Sequence, residues 1–172
     1  MKENFPLSLK LVLQSEGGNV DNPADKGGRT SRGITQRVYD AYRVRAGKPL
    51  QDVYLASDDE VSDIYHQSYW WPTGDRLPAG VDYLYFDMAV NAGPHRSVLL
   101  LQRAAEVYEV GVIGPVTMAE IDATDPTVLI QKFTEARKEF YQNLHEGLFL
   151  HGWLNRADAS EKAALAMIGG QV

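Results

Sequence analysis

Ser15-Glu16-Gly17-Gly18 places a carboxylate where an amphipathic segment runs into a glycine-rich loop, a combination that can make a proton donor. Phe5, Leu9 and Val12 recur at the i, i+4, i+7 spacing of one helix face, and Glu16 continues that stripe four residues on. A carboxyl group held against apolar side chains has its charged form disfavoured. It then keeps its proton closer to neutral pH, as a general acid must. Position alone leaves a second reading open, in which Glu16 is a solvated helix-end residue and the two glycines supply a C-cap.

The next stretch, residues 19–35, is rich in Asn, Asp, Gly and Thr and poor in apolar side chains, the composition of a functional loop. Asp25 follows Glu16 by nine residues and Thr30 follows by five more, so a hairpin here would set both across a cleft from Glu16. Two carboxyl groups flanking a sugar linkage, one protonated and one ionised, are the equipment of glycoside hydrolysis. The alternative is that Asp21, Asn22 and Asp25 simply form turns. Further on, Tyr69-Trp70-Trp71 before Pro72 can act as a sugar-stacking platform or can plug the space between helices. Asp87 and Asn91 stand four apart on one face of an apolar segment; Asp87 reads as a structural hydrogen-bonder and Asn91 as a cleft-lining residue.

Glu16-Gly17-Gly18, Asp21-Asn22-Pro23-Ala24-Asp25-Lys26-Gly27-Gly28 and Thr30-Ser31-Arg32-Gly33-Ile34-Thr35 together resemble the opening of glycoside hydrolase family 108, the bacterial and phage N-acetylmuramidases. Phe86-Asp87-Met88-Ala89-Val90-Asn91-Ala92-Gly93-Pro94, Leu101-Gln102 and Gly111-Val112-Ile113-Gly114-Pro115-Val116-Thr117 resemble the peptidoglycan-binding-type half that follows in such proteins, as do Phe140-Tyr141 and Gly152-Trp153-Leu154-Asn155-Arg156. The resemblance implies a mainly α, lysozyme-like compact helical fold with a Gly-rich loop or small hairpin after the first helix. It implies a catalytic half over 1–93 and a peptidoglycan-binding-like half over 94–172; with no internal repeat, low-complexity tract or Pro/Ser-rich linker between them, the two are expected to pack as one compact body. The implied activity is cleavage of the β-1,4 bond between N-acetylmuramic acid and N-acetylglucosamine, with Glu16 as the acid. Asp25 would serve as base, water-orienting group or electrostatic stabiliser, and Thr30 would help to hold the water, with Thr35 competing for that task. One departure from the family pattern is Asn19, where an aromatic is common.

Composition excludes several other classes. The chain has 172 residues, no cysteine and a formal net charge of −6, so it has no disulfide framework, no thiol nucleophile and no basic stripe for nucleic acid. His66, His95, His145 and His151 show no metal-ligand spacing, and neither a metal nor an organic cofactor is expected. Glu3, Ser8, Lys10 and Gln14 interrupt the N-terminal apolar run, so no stable membrane insertion is expected. The expected setting is a phage or prophage endolysin, monomeric, accumulating in the cytoplasm and reaching peptidoglycan through a holin or a dedicated export system. Two other classes of function stand beside this one: a lytic transglycosylase, which would not need Asp25, and a catalytically inactive wall-binding protein.

These residues must be positioned by helices. Thr35 to about Arg45 reads as amphipathic with Val38, Tyr39 and Tyr42 for the core, and Ser57-Asp58-Asp59-Glu60 reads as a capping box opening the next helix. Residues 82–91 read as a buried helix, and 95–109 as an amphipathic one with Val98, Leu101, Ala105 and Tyr108 on its inner stripe. Asp125-Pro126 opens a long helix to about Gly147 with Leu129, Phe133, Ala136, Phe140 and Leu144 inward. Phe149 to Trp153 reads as a connection before a last short helix from about Asn155.

Overall fold

The computed structural model describes residues 1–16, 29–144 and 146–170. The described chain is mainly α, with one small hairpin after the first helix, as expected. In order it runs α1 (Phe5–Glu16), β1 (Thr30–Ser31), β2 (Ile34–Thr35), α2 (Gln36–Arg45), α3 (Asp58–Tyr65), α4 (Val81–Ala92), α5 (Pro94–Ala104), α6 (Pro115–Ala123), α7 (Pro126–Asn143) and α8 (Gly147–Ile168). Its internal packing divides it into a smaller unit, residues 6–68, and a larger one, residues 1–5 and 69–172.

In the smaller unit Val12, Ile34, Tyr39, Val53, Val61, Ile64 and Tyr65 form the core. Helix α2 begins where Thr35 accepts a hydrogen bond from the Val38 amide at 3.4 Å. Helix α3 begins at the capping box, with the Glu60 amide donating to Ser57 Oγ at 3.2 Å and the Ser57 amide donating back to Glu60 Oε2 at 3.3 Å. Glu60 also accepts from Tyr39 Oη at 2.5 Å, Arg43 Nη1 at 2.8 Å and Lys48 Nζ at 3.0 Å. Burial pushes its pKa up, but the bonds from Tyr39, Lys48 and Ser57 outweigh burial and hold it at about 2.

In the larger unit α4 is buried all round, from Val81 to Ala89, with α5, α7 and α8 packed against it. Phe5, Trp70 and Phe86 meet edge to face, with ring centroids 5.3–5.7 Å apart. Helix α7 starts as its sequence requires, Asp125 Oδ1 accepting from the Thr127 amide at 2.8 Å with Pro126 in the first turn.

Four expectations need correction. Val38 is 38% exposed and Leu144 41% exposed, so neither is a core residue. Helix α5 stops at Ala104, because Glu106 takes a left-handed conformation at φ 57 and the Val107 amide folds back to the Gln102 carbonyl. Tyr108 therefore leaves the inner stripe and stands 93% exposed. Residues 149–153 belong to α8, since Phe149 and Trp153 pack one helical turn apart and Trp153 stacks on Tyr141 at 5.3 Å.

Candidate active site in the residue 6–68 unit

Glu16 is the last residue of α1, half-buried at the end of the stripe that buries Leu9 and Val12. The hairpin comes to it. Thr30 pairs with Thr35 and Ser31 with Ile34, leaving Arg32 and Gly33 as a two-residue loop with φ values of 49 and 76, both in the left-handed region. Two successive residues of that kind match the right-handed twist of the strands. Ser31 and Ile34 face inward at 3% exposure each, while Thr30 and Thr35 lie half-buried on the other face.

The loop is tied to α3 by two contacts and to the segment before it by a third. Tyr65 Oη donates to the Arg32 carbonyl at 2.8 Å, Arg32 Nη1 pairs with Asp58 at 2.6 Å, and the Arg32 guanidinium also donates to the Ala56 carbonyl. This fixes Gly33 at the meeting point of two functional groups. The place a Cβ would occupy there lies 2.5 Å from Tyr65 Oη, 3.3 Å from Glu16 Oε2 and 3.5 Å from Glu16 Cβ. The Glu16 carboxyl is thus held beside a bare stretch of backbone and a phenol that is itself 2% exposed. Beside α1 an open groove of about 480 Å³ is walled by Leu9, Leu13 and Gln14 and by the Arg32–Asp58 pair.

Gly33 yields a test of this packing. Gly33→Ala forces a side chain into a left-handed position and against Tyr65, and is expected to cost about 2 kcal/mol of stability. Gly47→Ala is the control, because Gly47 has φ 66 but nothing within 4 Å of its Cβ position. Denaturant titration compares the two; a loss of stability no larger than that of Gly47→Ala would show that Gly33 is not closely packed against Tyr65 and Glu16.

The other residues singled out from sequence are placed as follows. Asp25 lies outside the described residues, as does His145. Thr30 stands opposite Thr35, whose hydroxyl caps α2. In the larger unit Trp71 is 61% exposed and Tyr69 half-buried, whereas Trp70 is 0% exposed and donates from Nε1 to Asp75 at 2.7 Å. Trp70 is a core residue and offers no ring face to a sugar, which corrects its assignment to a stacking platform. Asn91 is engaged in the framework, its Oδ1 accepting from Tyr141 Oη at 2.7 Å. Tyr141 in turn accepts from Arg137 Nε at 2.8 Å, and Arg137 pairs with Asp87 at 2.6 Å. Among the described residues no three His, Asp or Glu side chains stand together as a metal site.

Sequence reasoning missed Tyr65, which reads as one more apolar-face position of α3. The available signal was Arg32-Gly33 between two Thr-containing pairs, a hairpin turn whose return had to meet something at the end of α1.

The sequence matches the family model of Glycosyl hydrolase 108 over residues 9–93 and that of the Predicted Peptidoglycan domain over residues 96–158. No curated protein matches the chain. Among solved structures it is similar to that of SagA from Brucella abortus, with 33% identity and a TM-score of 0.81 over 97% of each chain. The two family matches meet at the start of α5, whereas the packing boundary falls between 68 and 69, so the buried helix α4 belongs by sequence to the first match and by packing to the larger unit. A hydrolase family match, a peptidoglycan domain match and a full-length relative agree: the chain belongs to the glycosyl hydrolase 108 family and is a glycoside hydrolase of peptidoglycan.

Proposed function

We propose that the enzyme is an N-acetylmuramidase that cleaves the β-1,4 bond between N-acetylmuramic acid and N-acetylglucosamine, with Glu16 as the general acid. The observation that carries this reading is the seating of the Glu16 carboxyl at the end of α1, against the Gly33 backbone and the Tyr65 phenol. A carboxyl group so flanked is shielded on that side by backbone and phenol. In the reaction Glu16 delivers its proton to the glycosidic oxygen as the bond to the anomeric carbon breaks. Asp25 and Thr30 serve the attacking water or the developing positive charge, and Thr35 borders the same hairpin face. Tyr69 and Trp71 supply ring faces for sugars. Tyr65 is a positioning residue, since its phenol fixes the loop that fixes Glu16.

The physiological setting we propose is lysis of a host cell by a phage-type endolysin that acts as a monomer, made in the cytoplasm and given access to the wall by a holin or export route. Mass spectrometry of purified peptidoglycan after digestion, with and without borohydride reduction, tests the chemistry. Reducible muramic-acid ends are expected. Anhydro ends would replace water by the sugar's own 6-hydroxyl and make the enzyme a lytic transglycosylase, and an absence of glycan cleavage would overturn the enzymatic reading.

A further inference from the structure

Within the larger unit, the loop between α5 and α6 is firmly braced yet turns its apolar side chains to solvent. Gln102, 0% exposed, donates from Nε2 to the Val112 carbonyl at 3.0 Å and to Thr117 Oγ1 at 3.2 Å, while its Oε1 accepts from the Gly111 amide at 2.8 Å. The His95 ring fills the space beside Gly111 that a Cβ would need, and Gly111 sits at φ 74. One buried amide and one glycine therefore fix the loop. On it Tyr108, Val110 and Val112 are 93, 67 and 68% exposed, and Val116 in the first turn of α6 is 71% exposed. They line a concave cavity of about 710 Å³ with Pro115 and Thr117. Leaving such side chains in water forgoes about 25 cal/mol per Å² of apolar area, and a contiguous apolar concavity on a soluble domain marks an interaction surface.

We propose that this cavity docks the peptide stem of peptidoglycan, taking up the methyl groups of its alanine residues and of the lactyl link to the sugar. The inference rests on the peptidoglycan reading above and adds a second contact with the same polymer. Every lining residue falls inside the 96–158 match, whose description names peptidoglycan. The chemistry of the lining selects the stem over the glycan. Its walls are Val110, Val112, Val116 and Pro115 around the single ring of Tyr108, its one carboxylate neighbour, Glu106, is already paired with Lys132 at 2.6 Å, and the Thr117 hydroxyl accepts from Gln102. A sugar ring brings hydroxyl groups that need partners, and the cavity has few to give. Small alkyl groups on an extended peptide need none.

The test uses the full chain carrying Glu16→Gln, so that substrate is not consumed, and measures pull-down on sacculi, either intact or stripped of stems by an amidase, the glycan strands that stripping releases being held on beads. Tyr108→Ala and Val116→Asp are compared with the parent, and both positions are exposed, so unchanged thermal melting is the folding control. The parent is expected to bind intact sacculi at least about tenfold more tightly than stripped ones, and each variant to lose about tenfold on intact sacculi only. Because the contact is apolar, raising salt should weaken it little. Equal losses on both substrates would mean that the cavity reads the glycan, and unchanged binding would mean that it reads neither; either result overturns the proposal. A dimer by light scattering that Val116→Asp dissociates, with sacculus binding intact, would assign the surface to a second copy and overturn it too. A wild type that cleaves glycan while binding both sacculi equally overturns the docking proposal alone, whereas one that neither binds nor cleaves overturns the muramidase reading with it.

Discussion

Glu16→Gln is expected to fold and melt like the parent and to hydrolyse peptidoglycan about 10²–10⁴-fold more slowly, the range that one general acid supplies. The amide fills the same volume beside Gly33 and Tyr65, so packing at the end of α1 is kept. What is lost is the proton, since a carboxamide has none to give to a leaving oxygen. Glu16→Asp probes the geometry instead. Its carboxyl is one methylene shorter and withdraws from its place beside Tyr65, so it should retain the chemistry while losing alignment, and its rate should fall between parent and Gln variant. A Gln variant that keeps most of the activity in a dye-release assay would remove Glu16 from the mechanism. Tyr65→Phe separates positioning from proton donation: it deletes the bond to the Arg32 carbonyl and should lower the rate, but by less than Glu16→Gln does.

Asp87→Ala should be the most damaging single change to stability, costing about 3–5 kcal/mol, because it strands buried positive charge. Asp87 is 1% exposed and pairs with Arg137, itself 1% exposed, and with Arg156 Nη2 at 2.8 Å, while Ser160 Oγ donates to it at 3.1 Å. Removing the carboxylate leaves two guanidinium groups facing each other inside α4, α7 and α8. Burial alone would push the Asp87 pKa up, but Arg137 and Arg156 outweigh burial and hold it below the usual carboxylate range. A carboxylate depressed in the folded state contributes stability that is fully present above its unfolded pKa, about 3.9, and that is lost as pH falls through the lower folded value. Denaturant midpoints at neutral and strongly acidic pH measure this. The wild type should lose this contribution on acidification, and the gap between it and Asp87→Ala should narrow. A variant within about 1 kcal/mol of the parent at neutral pH would show that the network contributes little net stability.

Local chemistry that acts within a few residues was legible. Ser57 with Glu60, Asp125 with Pro126, and the stripe of Phe5, Leu9 and Val12 each state their structure through one turn of helix, and each stands where it was read. What could not be read depends on long-range packing. Trp70 and Trp71 are adjacent and chemically identical, yet one is wholly buried and the other 61% exposed, because Phe5 and Phe86 close over only one of them. Helical periodicity carried α5 through Tyr108, since nothing in residue type announces that Glu106 will turn left-handed. Phe149 to Trp153, bracketed by Gly147 and Gly152, resembled a connection until Tyr141 of α7 supplied a ring for Trp153 to stack on. The candidate site follows the same rule. Glu16 was visible from its stripe and its glycines, but the Tyr65 phenol behind Gly33 comes from α3, 49 positions further along the chain.

The placement of tryptophan has a spectroscopic consequence. All three, Trp70, Trp71 and Trp153, lie in the larger unit, and residues 6–68 contain none. Intrinsic indole emission therefore watches only the half of the molecule that carries α4 to α8 and is blind to the carboxylate, the hairpin and α3. Buried Trp70 would emit to the blue of exposed Trp71, and the loss of that blue component would date the opening of one unit alone. Far-ultraviolet dichroism sees both. A melt in which ellipticity begins to fall while emission holds would show the residues around Glu16 loosening first, ahead of the unit that holds α4 to α8.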